Sequence, residues 1–552
     1  MTAHDAPNTG DLPHPAVDSH NDPGTTGSQD TTDAATNIKY EEVVAVIPQS
    51  GTENDGDDDA GYLIYTLSES EDPAAPTSEP SATGSESGTH YRLRAVPYSP
   101  SKHPQQRHLT AALSPFMLNN NKTSLPPHLA PGNRRRVHVL VFKGSGLRSA
   151  PEFWSSVLRP LLNVVGVVPD EVAELDGAQA VREAMRRLAR EAERSGGEKE
   201  VTVVLLSGDG GVVELLSALD RGEEEGAGRV PTVALFPLGT GNALFHSLHK
   251  PLYEGNGASP LVLALRSLLF GTSAPLPTFR VSFSPGARLA AAPGDDRDGG
   301  DPPKEEHPVT HLIGAVVASY GFHASLVWAS DTPEYRVHGD KRFGMAAAEL
   351  LKKAHAYDAE VQVRWKGGEG FVPLRIPTLH DGKKEETSPQ RLTYLLLTLV
   401  SNLEQAFTIS PASRPLDGVL RGVWFGAVGG VRTMEIMTKA YQGGAHVGMP
   451  DVGYTGDESP ELEEVRVVAY RNWQRAVRVA KSKKPMSKAR REKYADDAAK
   501  AKRSTTTITT TTNDGIEGVM PVGENPNFGE LVEGIQRLVA QLFWQRRRRT
   551  AP

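Results

Sequence analysis

Cysteine is absent from the 552 residues, which excludes disulfides, a thiol nucleophile and a cysteine-built zinc site, and fits a reducing compartment. No uninterrupted apolar run reaches the roughly 18 residues that a membrane-crossing helix needs. The N-terminal stretch is rich in Asp, Thr and Asn and has no apolar core of a secretory signal. A cytoplasmic protein is therefore expected, with any membrane contact peripheral. Aromatic residues make up only 6% and no RNA- or DNA-binding motif is present, so nucleic acid is not an expected partner. The 17 histidines show no HExxH or paired-ligand spacing.

What the chain has in abundance is glycine, 53 residues, and proline, 41. Both concentrate in the N-terminal region and between candidate elements, which points to long loops and insertions. The net charge of -8 is uneven: Asp30 to Asp59 is acidic, whereas Arg471 to Arg503 is crowded with Lys and Arg. Such a basic run suits an anionic membrane surface, each near-surface cation adding about 1 kcal/mol. A solvated insertion with no partner is the plain alternative.

The length exceeds what one hydrophobic core supports, so two folded domains with tails are expected. Residues 1–37 read as a disordered tail. Residues 38–97 contain three short alternating stretches, too few for a stable domain, which are expected to join a later sheet. Residues 98–133 read as linker. From Arg134 the pattern changes. Val137 to Phe142, Val201 to Leu206 and Thr232 to Phe236 are apolar runs of the kind buried on both faces of a sheet. Helical periodicity separates them, with Ala178, Val181, Met185, Leu188 and Ala192 on one face of the longest helix. Strand and helix in alternation predict a doubly wound parallel α/β domain over 134–274. Beyond it the pattern is mostly strand, predicting an antiparallel β-sandwich over 275–470 with insertions at 286–307 and 381–390. A basic helical or disordered insertion (471–512) and a C-terminal segment (513–552) follow.

Two glycine-rich turns carry the chemistry. Ser207-Gly208-Asp209-Gly210-Gly211 lies between an apolar strand and a helix, and so does Pro237-Leu238-Gly239-Thr240-Gly241-Asn242. In a parallel sheet, ligands bind where strands end and helices begin. Glycines let the backbone approach phosphates, and the helix start offers free N–H groups. A carboxylate placed there, Asp209, invites a role as general base or metal contact. Read alone, it is also compatible with an ordinary Gly-Asp turn. Neither turn has the spacing of a Walker loop or of GxGxxG.

SGDGG with Glu214, followed by PLGTGN, resembles the catalytic domain of the diacylglycerol, sphingosine and ceramide kinase superfamily. Ser319-Tyr320-Gly321-Phe322, Glu334-Tyr335-Arg336 and Gly339-Asp340-Lys341-Arg342-Phe343 resemble the S-W-G-F, E-K-Y-R and R-F segments of its sphingosine kinase branch. Ser410-Pro411-Ala412 with Pro415-Leu416-Asp417-Gly418 is similar to the family's A-P…DDG segment. The likeness runs from about Val137 to Tyr470. It implies an ATP-dependent lipid kinase using Mg²⁺, with a membrane lipid as substrate bound in the β domain. Asp209 is then the base that deprotonates the lipid hydroxyl. Ser145, Gly146, Ser207, Gly208, Gly210, Gly239, Thr240, Gly241 and Asn242 form the nucleotide loops, and Arg336 and Arg342 hold phosphates. Phe322, Ser325 and Glu214 are the implied substrate contacts. Without the likeness, the two arginines read as surface residues, Glu214 as a helix-surface carboxylate and His323 as a packed side chain.

The chain also departs from the family pattern. Phe142 stands where the first loop normally has an Asn that contacts the nucleotide, with Lys143 beside it as a substitute cation. Gly211 replaces a common Thr. Ser325 replaces an Asp that recognises an amino-alcohol head group, and the closing D-G-[ET] has only Asp514-Gly515 as a counterpart. A sphingoid base is the first expected substrate, with diacylglycerol or ceramide next. A non-catalytic pseudokinase and a NAD kinase are the rival readings.

Overall fold

The structure, a computed structural model, describes residues 38–49, 61–71, 89–99, 113–118, 125–130, 135–194, 200–219, 231–253, 257–287, 308–339, 341–377, 390–469, 504–511 and 517–520. The expectations for the N-terminal tail, for most of the two insertions, for the basic run 471–503 and for Asp514-Gly515 lie outside the described residues.

The apolar runs of the first domain form neighbouring strands. Arg135–Phe142 (β4), Glu171–Leu175 (β5), Glu200–Ser207 (β6) and Thr232–Pro237 (β7) pair in parallel in the order β5-β4-β6-β7. Successive side chains of a strand point to opposite faces, and here both faces are covered. Val139, Val141, Val204 and Leu206 face a core with Phe153, Leu161 and Leu265. Leu140, Val203 and Leu205 face another with Met185, Leu215 and Leu216. That is why these strands read as continuous apolar runs. Each fully buried Leu, Val or Phe stabilises the fold by roughly 1.5–3 kcal/mol.

The connecting helices supply those partners. Ala150–Phe153 (α1), a π-helical turn Trp154–Leu158 and Arg159–Val164 (α2) follow β4. Gly177–Arg194 (α3) precedes β6, and Asp209–Leu219 (α4) follows it. Ala243–His249 (α5) and Pro260–Phe270 (α6) come after β7. The sheet is extended by Glu517–Met520 (β21), parallel to β7, and by Thr272–Pro275 (β8), antiparallel to β21.

The second lobe is antiparallel, but the expected two-layer sandwich is replaced by one ten-stranded sheet. Its strands are Thr278–Phe283 (β9), His311–Gly314 (β10), Val317–Gly321 (β11), Tyr357–Trp365 (β12), Val372–Pro373 (β13), Gln390–Thr398 (β14), Arg421–Gly426 (β17), Val452–Tyr454 (β18), Leu462–Ala469 (β19) and Ser504–Thr511 (β20). The hairpin Asn402–Glu404 (β15) and Phe407–Thr408 (β16) stands apart. The physical reason for the single sheet lies in β14. Residues 390–392 pair with β12 and residues 394–398 with β11, so one strand serves two partners in succession. The sheet curls instead of splitting. A Cβ built on Gly422 of β17 would lie 3.3 Å from Leu462 of β19, although β12 and β14 separate those strands. Leu395, Leu397, Val361, Val465 and Phe279 fill the inner face. Tyr394, Leu396 and Phe425 face outward onto helices Phe322–Ser330 (α7), Lys341–Lys352 (α9) and Gly430–Ala440 (α10), and the short helix Pro333–Arg336 (α8) follows α7 in the chain.

Three further expectations are corrected. The N-terminal strands Val43–Pro48 (β1), Tyr62–Glu71 (β2) and Thr89–Tyr98 (β3) pair only with one another among the named strands, not with a later sheet. Their apolar face packs on the first lobe instead: Val44, Ala45 and Leu67 join its core. Arg266 of α6 donates to Val43 O at 2.8 Å and Tyr40 O at 2.7 Å while its guanidinium lies 4.1 Å from the Phe116 ring centroid. The segment 98–133 is more than linker, because Phe116, Leu118 and Leu129 are buried. Residues 504–511, placed by sequence in a basic insertion, form β20, since β9 and β19 offer facing edges that only this strand joins.

Candidate active site

Strands β4, β6 and β7 are neighbours, so the turns that follow them meet at one edge of the sheet. The meeting is backbone on backbone. A Cβ built on Gly239 would lie 2.3 Å from the Cα of Gly208, and one on Gly208 would lie 2.7 Å from the Cα of Gly239. Only glycine permits that approach. Gly146 has φ +52°, and a Cβ there would lie 2.6 Å from Leu238 O. Ser145 ties the first turn to the second, its Oγ accepting Gly208 N–H at 3.1 Å.

The third turn is held by its own asparagine. Asn242 sits at φ +53°, a conformation Asn tolerates better than most residues. Its Oδ1 accepts from Gly239 N at 2.9 Å, and its Nδ2 donates to Gly239 O at 3.0 Å and Pro237 O at 3.3 Å. Thr240 and Gly241 remain half-exposed beside it. Gly241 also borders the second lobe, since a Cβ there would lie 3.1 Å from Leu403 O. Ser247 of α5 accepts from Asn402 N at 3.0 Å, docking that helix on the β15 hairpin.

Asp209 opens α4, and its carboxylate reaches across to the third turn. Oδ2 accepts Ala243 N–H at 2.8 Å and Oδ1 accepts Leu244 N–H at 3.0 Å. The acid thereby satisfies two backbone donors that the first turn of α5 leaves open. Burial pushes the Asp209 carboxyl up from its ordinary range, and the two N–H donors pull it back. An ionised carboxylate has about four acceptor positions, so these two bonds leave capacity for a hydroxyl. Gly210, by contrast, is open: nothing lies within 4 Å of a Cβ built on it.

The two departures at Phe142 and Gly211 prove to be neighbours. A Cβ on Gly211 would lie 2.5 Å from Ser207 Oγ and 3.3 Å from the tip of the Phe142 ring. Ser207 takes the nearest space and the ring lies just beyond it, so position 211 has none left for threonine. Lys143 is engaged by Glu174 at 3.1 Å, which counts against its serving as a spare cation.

Arg336 and Arg342 are brought together beside the first turn. A Cβ on Gly339, between them in sequence, would lie 3.1 Å from Leu147. Of the implied substrate contacts, Phe322 and Ser325 share a cavity of about 320 Å³ walled by α7, α9 and the strands behind them, with Tyr335, Ala346, Leu350, Tyr357 and Thr393. Ser325 Oγ and Tyr357 Oη lie 2.6 Å apart. Glu214 is exposed on α4 and does not line this cavity. His323 is a packed side chain, hydrogen-bonded to Ser319 at 2.8 Å, with burial pushing its imidazole down to about 4.

Glycine turns in contact, a carboxylate and two arginines nearby fit the phosphates of a nucleotide. Among the described residues no three His, Cys, Asp or Glu side chains converge to hold a metal ion, and a Mg²⁺ ion would be shared with the phosphates of the nucleotide.

Residues 136–275 match the family model for the diacylglycerol kinase catalytic domain. No curated protein matches the chain significantly. A crystal structure of a diacylglycerol kinase from Bacillus anthracis strain Sterne is 10% identical, with a TM-score of 0.36 over 72% of this chain and 99% of that one. Another chain from the same strain is 11% identical, with a TM-score of 0.41 over 72% of this chain and 97% of that one. The three adjoining turns lie within the stretch that matches the diacylglycerol kinase catalytic domain model, and that match supports a lipid kinase.

Proposed function

We propose that the chain transfers the γ-phosphoryl group of ATP to the hydroxyl of a neutral membrane lipid, of the diacylglycerol or ceramide kind. The lining of the 320 Å³ cavity carries this reading. Its polar centre is the hydroxyl pair Ser325–Tyr357, and its one acidic residue, Glu349, is bridged to Lys352 at 2.5 Å. A hydroxyl pair suits an uncharged alcohol head group. The ammonium of a sphingoid base would call for an uncommitted carboxylate.

In the transfer, the lipid oxygen attacks the γ-phosphorus, the bond to ADP breaks and the hydroxyl proton passes to Asp209. Such a transition state needs positioning and charge neutralisation more than covalent help. The contact of Gly146, Gly208 and Gly239 sets the three turns side by side, and Arg336 and Arg342 supply the cations. Mg²⁺, when bound to the nucleotide, would neutralise part of its charge. Membrane association belongs to the same proposal: Val327, Trp328, Val337 and Met345 are exposed on and beside the helices that wall the cavity, next to Lys341, Lys352 and Lys353.

Labelled ATP offered with diacylglycerol, ceramide and sphingosine in anionic vesicles, and with NAD, tests the reading. Diacylglycerol or ceramide is expected to be labelled fastest, and Ser325→Asp to shift preference toward sphingosine. Preferential labelling of sphingosine by the wild type would overturn the neutral substrate. Label on NAD would favour the NAD kinase reading, and no transfer to any acceptor the pseudokinase.

A further inference from the structure

Arg336 and Arg342 are gripped by one acid that the family motifs do not include. Asp331, between α7 and α8, accepts Arg336 Nε at 3.0 Å on Oδ1 and Arg336 Nη2 at 2.8 Å on Oδ2. The same Oδ1 accepts Arg342 Nη1 at 3.1 Å. The two-point grip fixes the plane of the Arg336 guanidinium. Arg342 is held deeper, its side chain only 13% exposed, and its Nε has no hydrogen-bond partner among the described residues. The turn that carries both arginines closes through Gly339, at φ +56°, against Leu147 of the first loop.

We propose that Asp331 is a positioning residue, holding Arg336 and Arg342 as a preformed pair of cations beside the first loop to receive the phosphates of the nucleotide. The inference rests on the kinase reading of that site. Two guanidinium groups brought close repel each other, and each long side chain loses rotamer entropy when it is held in one place. A shared carboxylate offsets the repulsion and settles the rotamers before the nucleotide arrives, which removes that cost from binding. Asp331 also repels phosphate. That repulsion is weakened by water, because the side chain is 30% exposed. Ordering of the pair is local and is not screened in this way, so it outweighs the repulsion.

Calorimetric binding of ATP and of adenosine to the full chain separates the contributions. Asp331→Asn keeps the shape and removes the charge. It is expected to weaken ATP binding about tenfold, to leave adenosine binding unchanged and to keep the melting temperature, with Asp331→Glu recovering part of the loss. Unchanged or tighter ATP binding in Asp331→Asn would overturn the proposal, because the acid would then be neutral or a competitor. Equal weakening of ATP and adenosine would also overturn it, by marking a purely structural role. A wild type that binds neither ligand would remove the kinase reading itself, and this is seen before any variant is made.

Discussion

Gly208 and Gly239 meet through their α-carbons, so the junction between the second and third turns has no tolerance for a methyl group. Gly239→Ala must push one backbone away from the other, at a cost of about 2 kcal/mol, which is roughly 4–8 °C in melting temperature. ATP affinity should fall with it. Gly210→Ala serves as the stability control, since its Cβ would meet nothing within 4 Å. Calorimetric melting of both variants checks this, and equal melting temperatures would contradict the close approach. The turns themselves were legible in the sequence, because a glycine cluster directly after an apolar run marks the place where a buried strand turns into a helix. Phe142 and Gly211 were legible only as two separate oddities; the structure makes them neighbours, with Ser207 closer still to position 211. Asp331 gave no signal. An aspartate before Thr-Pro looks like an ordinary helix start, and its role depends on two arginines that fold back onto it.

Helix α5 links the glycine turns to the second lobe, and it is built around two buried histidines. His249 bonds to Phe245 O at 2.9 Å and Ser267 Oγ at 2.9 Å, and His246 to Tyr253 at 2.8 Å. Burial pushes both imidazoles down to about 4. Between about 4 and 6.5 the unfolded chain therefore binds more protons than the folded one, so stability rises with pH across that window and is lost as pH falls through it. The full effect is on the order of 3 kcal/mol for a group so shifted. Melting temperature should drop between about pH 6.5 and pH 4, the edges of this window, and drop less in His249→Gln. A pH slope untouched by that variant would refute the assignment. Secondary structure at this scale was readable where periodicity is strong, as in α3, β4 and β6. It was not readable for α7 and α8, whose helices begin inside a motif that follows a strand. The sandwich expectation failed because alternation identifies strands but does not state how β14 shares its edge between two of them.

At the scale of the molecule, the last described strands complete both lobes. β20 joins β9 to β19, and β21 joins β7 to β8. Neither strand was legible. Ser504 to Thr511 holds one apolar residue, Ile508, in a run of threonines, and Glu517–Met520 has only four residues. Threonine is a good strand former, but without an apolar alternation it gives no direction to a core. A chain ending at residue 503 should leave β9 and β10 unattached to β19 and the edge of β7 open. Loss of cooperative unfolding, followed by circular dichroism, is the expected outcome. A truncated chain that melts like the full one would show these strands to be dispensable.

That closing position has a consequence for biosynthesis. The parallel strands through Pro237 are made early, but their sheet is finished only when Met520 has left the ribosome. At roughly 5–20 residues per second, the nascent chain waits on the order of a quarter of a minute to a minute with the β7 edge bare. A chaperone that shields an unpaired strand edge therefore has a defined interval in which to act, and the phosphotransferase domain matures only after the second lobe has been made.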